Sequence, residues 1–156
     1  MTLDETDAKI VALLQGSTRL TNEEIGGKVN LSPTAVAKRR KRLDQSGIIS
    51  AQVAVLDLNA VGPFVSAHVL CSFQPGGAAT IDEFTDAVMA RPEVTNCWVV
   101  TGDVDVILNV MTRTLDEYDR VLRELQEAFP QIKTVRTYVV LRQTKRSLAV
   151  PSTLIG

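Results

Sequence analysis

The chain has 156 residues, enough for one large domain or two small ones, and 45% of them are hydrophobic, an ordinary share for a globular core. No run approaches the roughly 20 apolar residues of a membrane-spanning helix, and the first ten residues, MTLDETDAKI, carry acids where a secretory leader carries positive charge; the chain reads as cytoplasmic, with no membrane partner. The formal charge of −1 conceals an uneven distribution: residues 1–50 hold eight Lys or Arg against six Asp or Glu, five of the eight being consecutive from Lys38 to Arg42, whereas residues 61–156 hold nine against eleven.

The first predicted helix runs from Asp4 to Gln15, with Leu3, Ile10, Leu13 and Leu14 on one stripe, Asp4 as N-cap, acids at 5 and 7 suiting the positive end of the helix dipole, and Gly16 as stop. A second opens at Thr21 with Glu24 three residues on, the spacing of a capping box, and ends near Val29. Gly26 and Gly27 within it each cost about 1 kcal/mol relative to alanine, a cost tolerated where a bare backbone lets another helix approach. Asn30 suits the left-handed conformation of a tight turn. Ser32 as N-cap and Pro33 at the first helical position then start a third helix that reaches about Ser46 and closes at Gly47, with Val36 and Leu43 as its core stripe and Arg40 at that stripe's edge. Ile48 to Leu58 reads as a strand or two-stranded wing, and Gly62-Pro63 as a hinge.

From Phe64 the period changes to two. Val65, Ala67, Val69, Cys71 and Phe73 alternate with Ser66, His68, Leu70 and Ser72, which predicts a strand. Pro75-Gly76-Gly77 reads as a turn, and Thr80 to Glu83 as a capping box for a helix with Ile81, Phe84, Val88 and Met89 on its stripe. Strands follow at Val94–Thr101 and Val104–Thr112, joined by a tight turn at Gly102-Asp103. A third box at Thr114–Glu117 opens a helix striped by Leu115, Tyr118, Leu122, Leu125 and Phe129, and Val135–Leu141 closes as a strand.

The expected fold class is α+β: an N-terminal winged helix-turn-helix domain over 1–50, a strand-containing linker over 51–62, and a ferredoxin-like βαββαβ domain over 63–156. A βαββαβ unit puts both helices on one sheet face. Both sets of strand residues are largely apolar here, so the other face is expected to meet a second copy of the chain.

A helix-turn-helix lays the leading end of its second helix in the major groove of double-stranded DNA. Ser32, Pro33, Thr34, Ala35 and Lys38 occupy that end. Thr34 suits a base edge or a phosphate, Ala35 a thymine methyl and Lys38 a guanine, while Arg39 and Arg42, further along, suit phosphates that set register. A charge run alone more often marks a solvated helix face. The capped helix pair in front of this one favours DNA.

Leu3-Asp4-x-x-Asp7-x-x-Ile10, Leu31-Ser32-Pro33, the basic helix ending in Arg42-Leu43, and Gly47-Ile48-Ile49 together resemble the Lrp/AsnC family of prokaryotic regulators. The second half, with Thr101-Gly102-Asp103-Val104-Asp105 at its central hairpin, is similar to that family's ligand-sensing domain. The resemblance spans about residues 3–145. It implies a homodimer joined through the C-terminal domains, assembled further into tetramers or octamers, and a small effector, commonly an amino acid, bound between dimers near the hairpin. Carried over, Thr101, Gly102, Asp103 and Asp105 are the effector-site residues, with 135–138 as the opposite wall. Gly102 would let the backbone approach the ligand and a carboxylate would accept from its ammonium group. The chain departs from the family at Val104 and Val106, where aromatic residues are common, at Arg40, usually apolar, and at Gly26, usually alanine. Gly102-Asp103 also has a plain reading, a hairpin turn that needs these residues for its backbone alone.

No metal site or cofactor is expected. Cys71 and Cys97 lie in apolar runs, His68 is the single histidine, and there is no C-x-x-C. No phosphate loop, G-x-S-x-G or H-E-x-x-H occurs, so no catalytic residues are assigned and the chain is not expected to be an enzyme. Trp98 is expected in the core or a dimer interface, and Asp116, Glu117, Asp119, Glu124 and Glu127 on a solvated helix face. The leading reading is a transcription regulator modulated by an effector; the alternative is an architectural DNA-binding protein that senses nothing.

Overall fold

A computed structural model describes residues 3–74 and 78–155 and divides into two compact units. One gathers the residues through Val55 with those from Lys145 onward; the other spans Leu56–Thr144.

The first unit is built from helices α1 (Glu5–Gly16), α2 (Asn22–Val29) and α3 (Pro33–Gln45). Each begins where a side chain satisfies free backbone N–H groups. The Asp4 carboxylate accepts from the Asp7 N–H at 2.7 Å and the Ser32 hydroxyl from the Ala35 N–H at 3.2 Å. At α2 the box is reciprocal: Thr21 Oγ1 accepts from the Glu24 N–H and Glu24 Oε2 from the Thr21 N–H. Asn30 takes the left-handed conformation at φ 56°, so the chain turns directly from α2 into Leu31-Ser32. Gly26 is required by that turn, and not by another helix as expected: a Cβ there would drive into the Leu31 carbonyl oxygen, while one on Gly27 would meet open space. Ile10, Leu14, Ile25, Val36 and Leu43 form the buried centre.

The expected strand or wing over 48–58 is not formed. Residues 50–57 carry no sheet pairing, with Val53, Val55 and Leu56 exposed, and a single helical turn, α4 (Leu58–Val61), follows. A strand exists by virtue of a ladder to a neighbouring strand, and among the described residues no strand pairs with these. The last segment, expected with the βαββαβ domain, groups with the helices instead. There the Gln15 amide accepts from the Val150 N–H at 2.6 Å and donates to the Val150 carbonyl at 3.3 Å.

The second unit follows the predicted order: β1 (Val65–Phe73), α5 (Ala78–Met89), β2 (Val94–Val99), β3 (Val106–Thr112), α6 (Leu115–Ala128) and β4 (Ile132–Val139). The four strands form one antiparallel sheet in the order β2-β3-β1-β4, with Val69 opposite both Leu108 and Thr137. Ala67, Val69, Cys71 and Phe73 of β1 and Val106, Leu108 and Val110 of β3 point into one core with Phe84 and Val88 of α5 and Tyr118, Val121 and Leu125 of α6. The Phe84 ring lies edge-on to those of Phe73 and Phe129, at 5.2 Å each. At the edge of this core the Tyr118 hydroxyl meets Thr137 Oγ1 at 2.5 Å.

Local details depart from the expectation. Thr80 sits inside α5, which begins at Ala78, so the predicted box does not open the helix; the Pro75-Gly76-Gly77 turn lies outside the described residues. Met89 is 81% exposed, having turned past the Phe84–Val88 stripe, and Leu115 is exposed at the first position of α6. Thr114 caps α6, but Glu117 reaches back to the Arg113 N–H instead of completing a box. On the sheet face away from the helices, Leu70, Ile107 and Met111 are half-buried and Tyr138 is exposed; Trp98, opposite Ile107, is 46% exposed and outside the core of its own unit.

Candidate nucleic-acid interface and hairpin site

The polar residues of α3 divide by direction around the helix. Val36 and Leu43 fix its inner side. Thr34, Lys38 and Lys41, spaced four and then three residues apart, form an exposed stripe on the opposite side. Ser32 and Pro33 are exposed at the leading end, while Ala35 is half-buried on the flank. Among the described residues Lys38 and Lys41 make no side-chain hydrogen bond or ion pair.

The arginines of the same run are turned inward. Arg39 Nη1 donates to Asp4 Oδ2 at 2.6 Å and to Asp7 Oδ1 at 2.7 Å, and Arg42 Nη2 donates to Asp7 Oδ2. Asp7 is 1% exposed, against 27% for the Arg39 side chain and 49% for that of Arg42. The guanidinium of Arg39, with the Asp7 N–H, holds the Asp4 carboxyl below its ordinary range; Asp4 and then Asp7 raise Arg39. Arg40 Nη1 donates to Asn22 Oδ1 at 2.9 Å and to the Leu20 carbonyl at 3.3 Å, joining α3 to the start of α2. Arg39 and Arg42, expected as phosphate contacts, are therefore tied to their own domain. A readable signal existed. Leu3, Asp7, Ile10 and Leu14 recur at helical spacing, so Asp7 stands on the apolar stripe of α1 and needs a cationic partner there.

In the second unit the connection between β2 and β3 is the six-residue loop Val100–Asp105, wider than the predicted tight turn. The Val100 N–H reaches the Asp105 carbonyl, and Gly102 adopts φ 145°, a conformation open to glycine. The four expected effector residues separate by environment. Thr101, Gly102 and Asp103 are exposed. Asp105 is half-buried, and its Oδ2 accepts from the Phe73 N–H at 2.7 Å, where the β1–β4 register shifts. That carboxylate closes a gap in the sheet. Asp103 Oδ2 accepts from Arg136 Nη2 of β4 at 3.2 Å, and the Ser72 hydroxyl donates to the Asp103 carbonyl at 3.2 Å. Arg136 thus brings the 135–138 wall to the loop. Ser72 was missed because only the pairing of β1 with β3 puts it beside the loop that leads into β3. Burial pushes the Cys71 thiol up to about 11 and raises Cys97 as well, in keeping with unreactive core sulfurs.

Known proteins share both halves. Residues 3–44 match the AsnC-type helix-turn-helix domain and residues 66–150 the Lrp/AsnC ligand binding domain. The chain is 37% identical to the HTH-type transcriptional regulator y4tD of Sinorhizobium fredii, over 97% of this chain and 89% of that one. It is similar to the crystal structure of an AsnC family transcriptional regulator from Agrobacterium tumefaciens at TM-score 0.88 and 26% identity, covering 98% and 99% of the two chains. A transcriptional regulator from Neisseria meningitidis in complex with L-Met compares at TM-score 0.85 and 28% identity, over 96% and 97%. With the helix-turn-helix in front and the four-stranded antiparallel sheet behind, the chain belongs to the Lrp/AsnC family of transcription regulators.

Proposed function

We propose that this regulator reads double-stranded DNA with the leading turns of α3 and that a small amino acid at the Val100–Asp105 loop biases which of its states holds the DNA. The observation that carries the first half is the outward stripe of Thr34, Lys38 and Lys41 on a helix whose opposite side is locked into a core. Ser32, Pro33, Thr34 and Ala35 sit at the end that faces base edges in this motif, with Lys38 one turn further along the same side as Thr34. It works in the cytoplasm as a DNA-binding switch and not as a catalyst, with residues to about 50 as the reading domain, 51–62 as connector and the βαββαβ fold as the sensing and assembly domain.

Assembly through two-fold pairs supports the same reading. The apolar outer sheet face, with Leu70, Ile107, Met111 and Trp98, suits a second copy of the chain, and helix-turn-helix dimers read half-sites about 34–36 Å apart, one turn of DNA. Dimers of this kind build tetramers or octamers.

For the effector, the neighbouring structure with L-Met favours an amino acid. At the loop a carboxylate and a guanidinium lie together: Asp103 is suited to an α-ammonium group and Arg136 to an α-carboxylate, with Gly102 leaving the backbone open and Thr101 beside it. Asp105 serves by keeping the loop on the sheet. An effector acts only by binding one state more tightly than another.

Genome-wide footprinting of bound sites with and without added amino acids tests both halves. Discrete protected sites that change with one class of amino acid are the expected result. Uniform, sequence-blind coverage would sink the regulatory reading. Calorimetry with the twenty amino acids separates sensing from architecture: absence of heat with any of them favours an architectural DNA-binder.

A further inference from the structure

Five consecutive cations on one helix look like a single phosphate-binding run, but the geometry divides them into two jobs. Arg39 and Arg42 converge on Asp7, and Arg39 also on Asp4, while Arg40 is spent on Leu20 and Asn22. Lys38 and Lys41 remain, exposed and beside Thr34. A planar guanidinium with several donors suits a fixed multidentate site, and a flexible ammonium suits a phosphate met as a point charge.

We propose that Lys41, with Lys38, carries the phosphate contacts of α3, and that Asp7 is a positioning residue which withholds Arg39 and Arg42 from the duplex while setting the angle of the helix. This rests on the reading of α3 as the DNA-contacting element and assigns the work within it. Breaking a buried pair strands the remaining charge, so a duplex phosphate competing for Arg39 or Arg42 must first pull a cation from a carboxylate shielded from water. Lys38 and Lys41 face no such competition. Asp7 reaches α3 through both guanidinium groups from 32 and 35 residues away in sequence, so one carboxylate sets both the tilt of the helix and which cations it offers.

The salt dependence of duplex binding tests the division, because each phosphate contact adds about 0.9 to the slope of log affinity against log salt. The full chain is titrated with a fluorescein-labelled duplex of mixed sequence across a salt series, alongside circular dichroism and a thermal melt of every variant. Lys38→Gln and Lys41→Gln are each expected to reduce the slope by about 0.9, so that affinity falls about 3- to 4-fold less between about 50 and 200 mM salt. Arg39→Gln and Arg42→Gln lower the melting temperature and leave the slope at the wild-type value. Asp7→Asn frees Arg42, Arg39 keeping Asp4, and steepens the slope by about 0.9; a purely structural carboxylate would lower stability without steepening it.

A reduced slope in either arginine variant overturns the proposal, as does an unchanged slope in Lys41→Gln. Where an arginine variant or Asp7→Asn does not fold, Lys41→Gln, a change on the solvent side of α3, decides alone. If the wild-type chain binds no duplex, or binds with no salt dependence, the reading of α3 as a DNA-contacting element fails, an outcome distinct from either of these.

Discussion

The two units hold their shape by different means. The helical unit has five buried apolar side chains at its centre and sets the angle of α3 with polar pins, Asp7 to Arg39 and Arg42 and Arg40 to the start of α2. The sheet unit has twelve buried core residues and three interlocked phenylalanine rings, and its ion pairs, such as Asp103 with Arg136 and Arg91 with Glu124, lie on exposed carboxylates at its surface. Apolar contact is strong but non-directional, so a large core finds its packing from shape. The helical unit has the smaller buried centre, and directional charge-assisted bonds add to it at the helix that has to be presented at one angle.

Substitutions can break this contrast, and the largest effect belongs to the sheet unit. Phe84→Ala removes a fully buried ring and is expected to cost about 3–5 kcal/mol in chemical denaturation. Asp7→Ala in the helical unit should cost less, about 1–3 kcal/mol, because the arginines it strands are partly exposed and regain water. If Asp7→Ala proves neutral, the pins are ornament and the five apolar residues suffice.

The paired glycines sharpen the contrast within α2. Gly26→Ala presses a methyl into the Leu31 carbonyl and should destabilise by about 1–3 kcal/mol, whereas Gly27→Ala, facing open space, should stabilise by up to about 1 kcal/mol. Equal melting shifts of the same sign would contradict the packing at this turn.

Acid gives a smaller, graded effect. The folded-state pKa of Asp4 lies below its ordinary value of 3.8, so its contribution is fully present above that value and is lost as pH falls through the lower, folded one. Stability should be flat with pH near neutrality and decline below about pH 4. Asp4→Asn should flatten the decline in part, Glu5 and Glu24 being lowered in the same direction by Lys9 and by the Thr21 cap. A decline unaltered by Asp4→Asn would remove Asp4 from the account.

The smallest test concerns the sheet core. Under a thiol reagent followed by mass spectrometry, half-buried Cys97 should be labelled before Cys71, whose buried thiol titrates only near 11. Faster labelling of Cys71 would mean that the core opens more readily than its packing implies.

Much was legible in the amino-acid order because it depends on neighbours three or four residues away, or on every second residue. Asp4, Thr21 with Glu24, Asn30 and Ser32-Pro33 marked the helix boundaries, and the alternation from Val65 to Phe73 marked a strand. The order of elements then restricted the sheet to few topologies. Misreadings fell where a local pattern had a rival. Thr80 has box spacing inside a helix that starts earlier, and Ile48 to Leu58 has the composition of a strand without the partner that makes one.

Tertiary structure alone decided which charges meet. Asp7 with Arg39 and Arg42, Asp105 with the Phe73 N–H, Asp103 with Arg136, and Gln15 with Val150 join residues 32 to 135 positions apart. A helix or strand can be read from its own period, since the forces that make it act within a turn or a pleat. The partner of a side chain on its buried face depends on how whole elements pack, and that is settled only when the core closes around it.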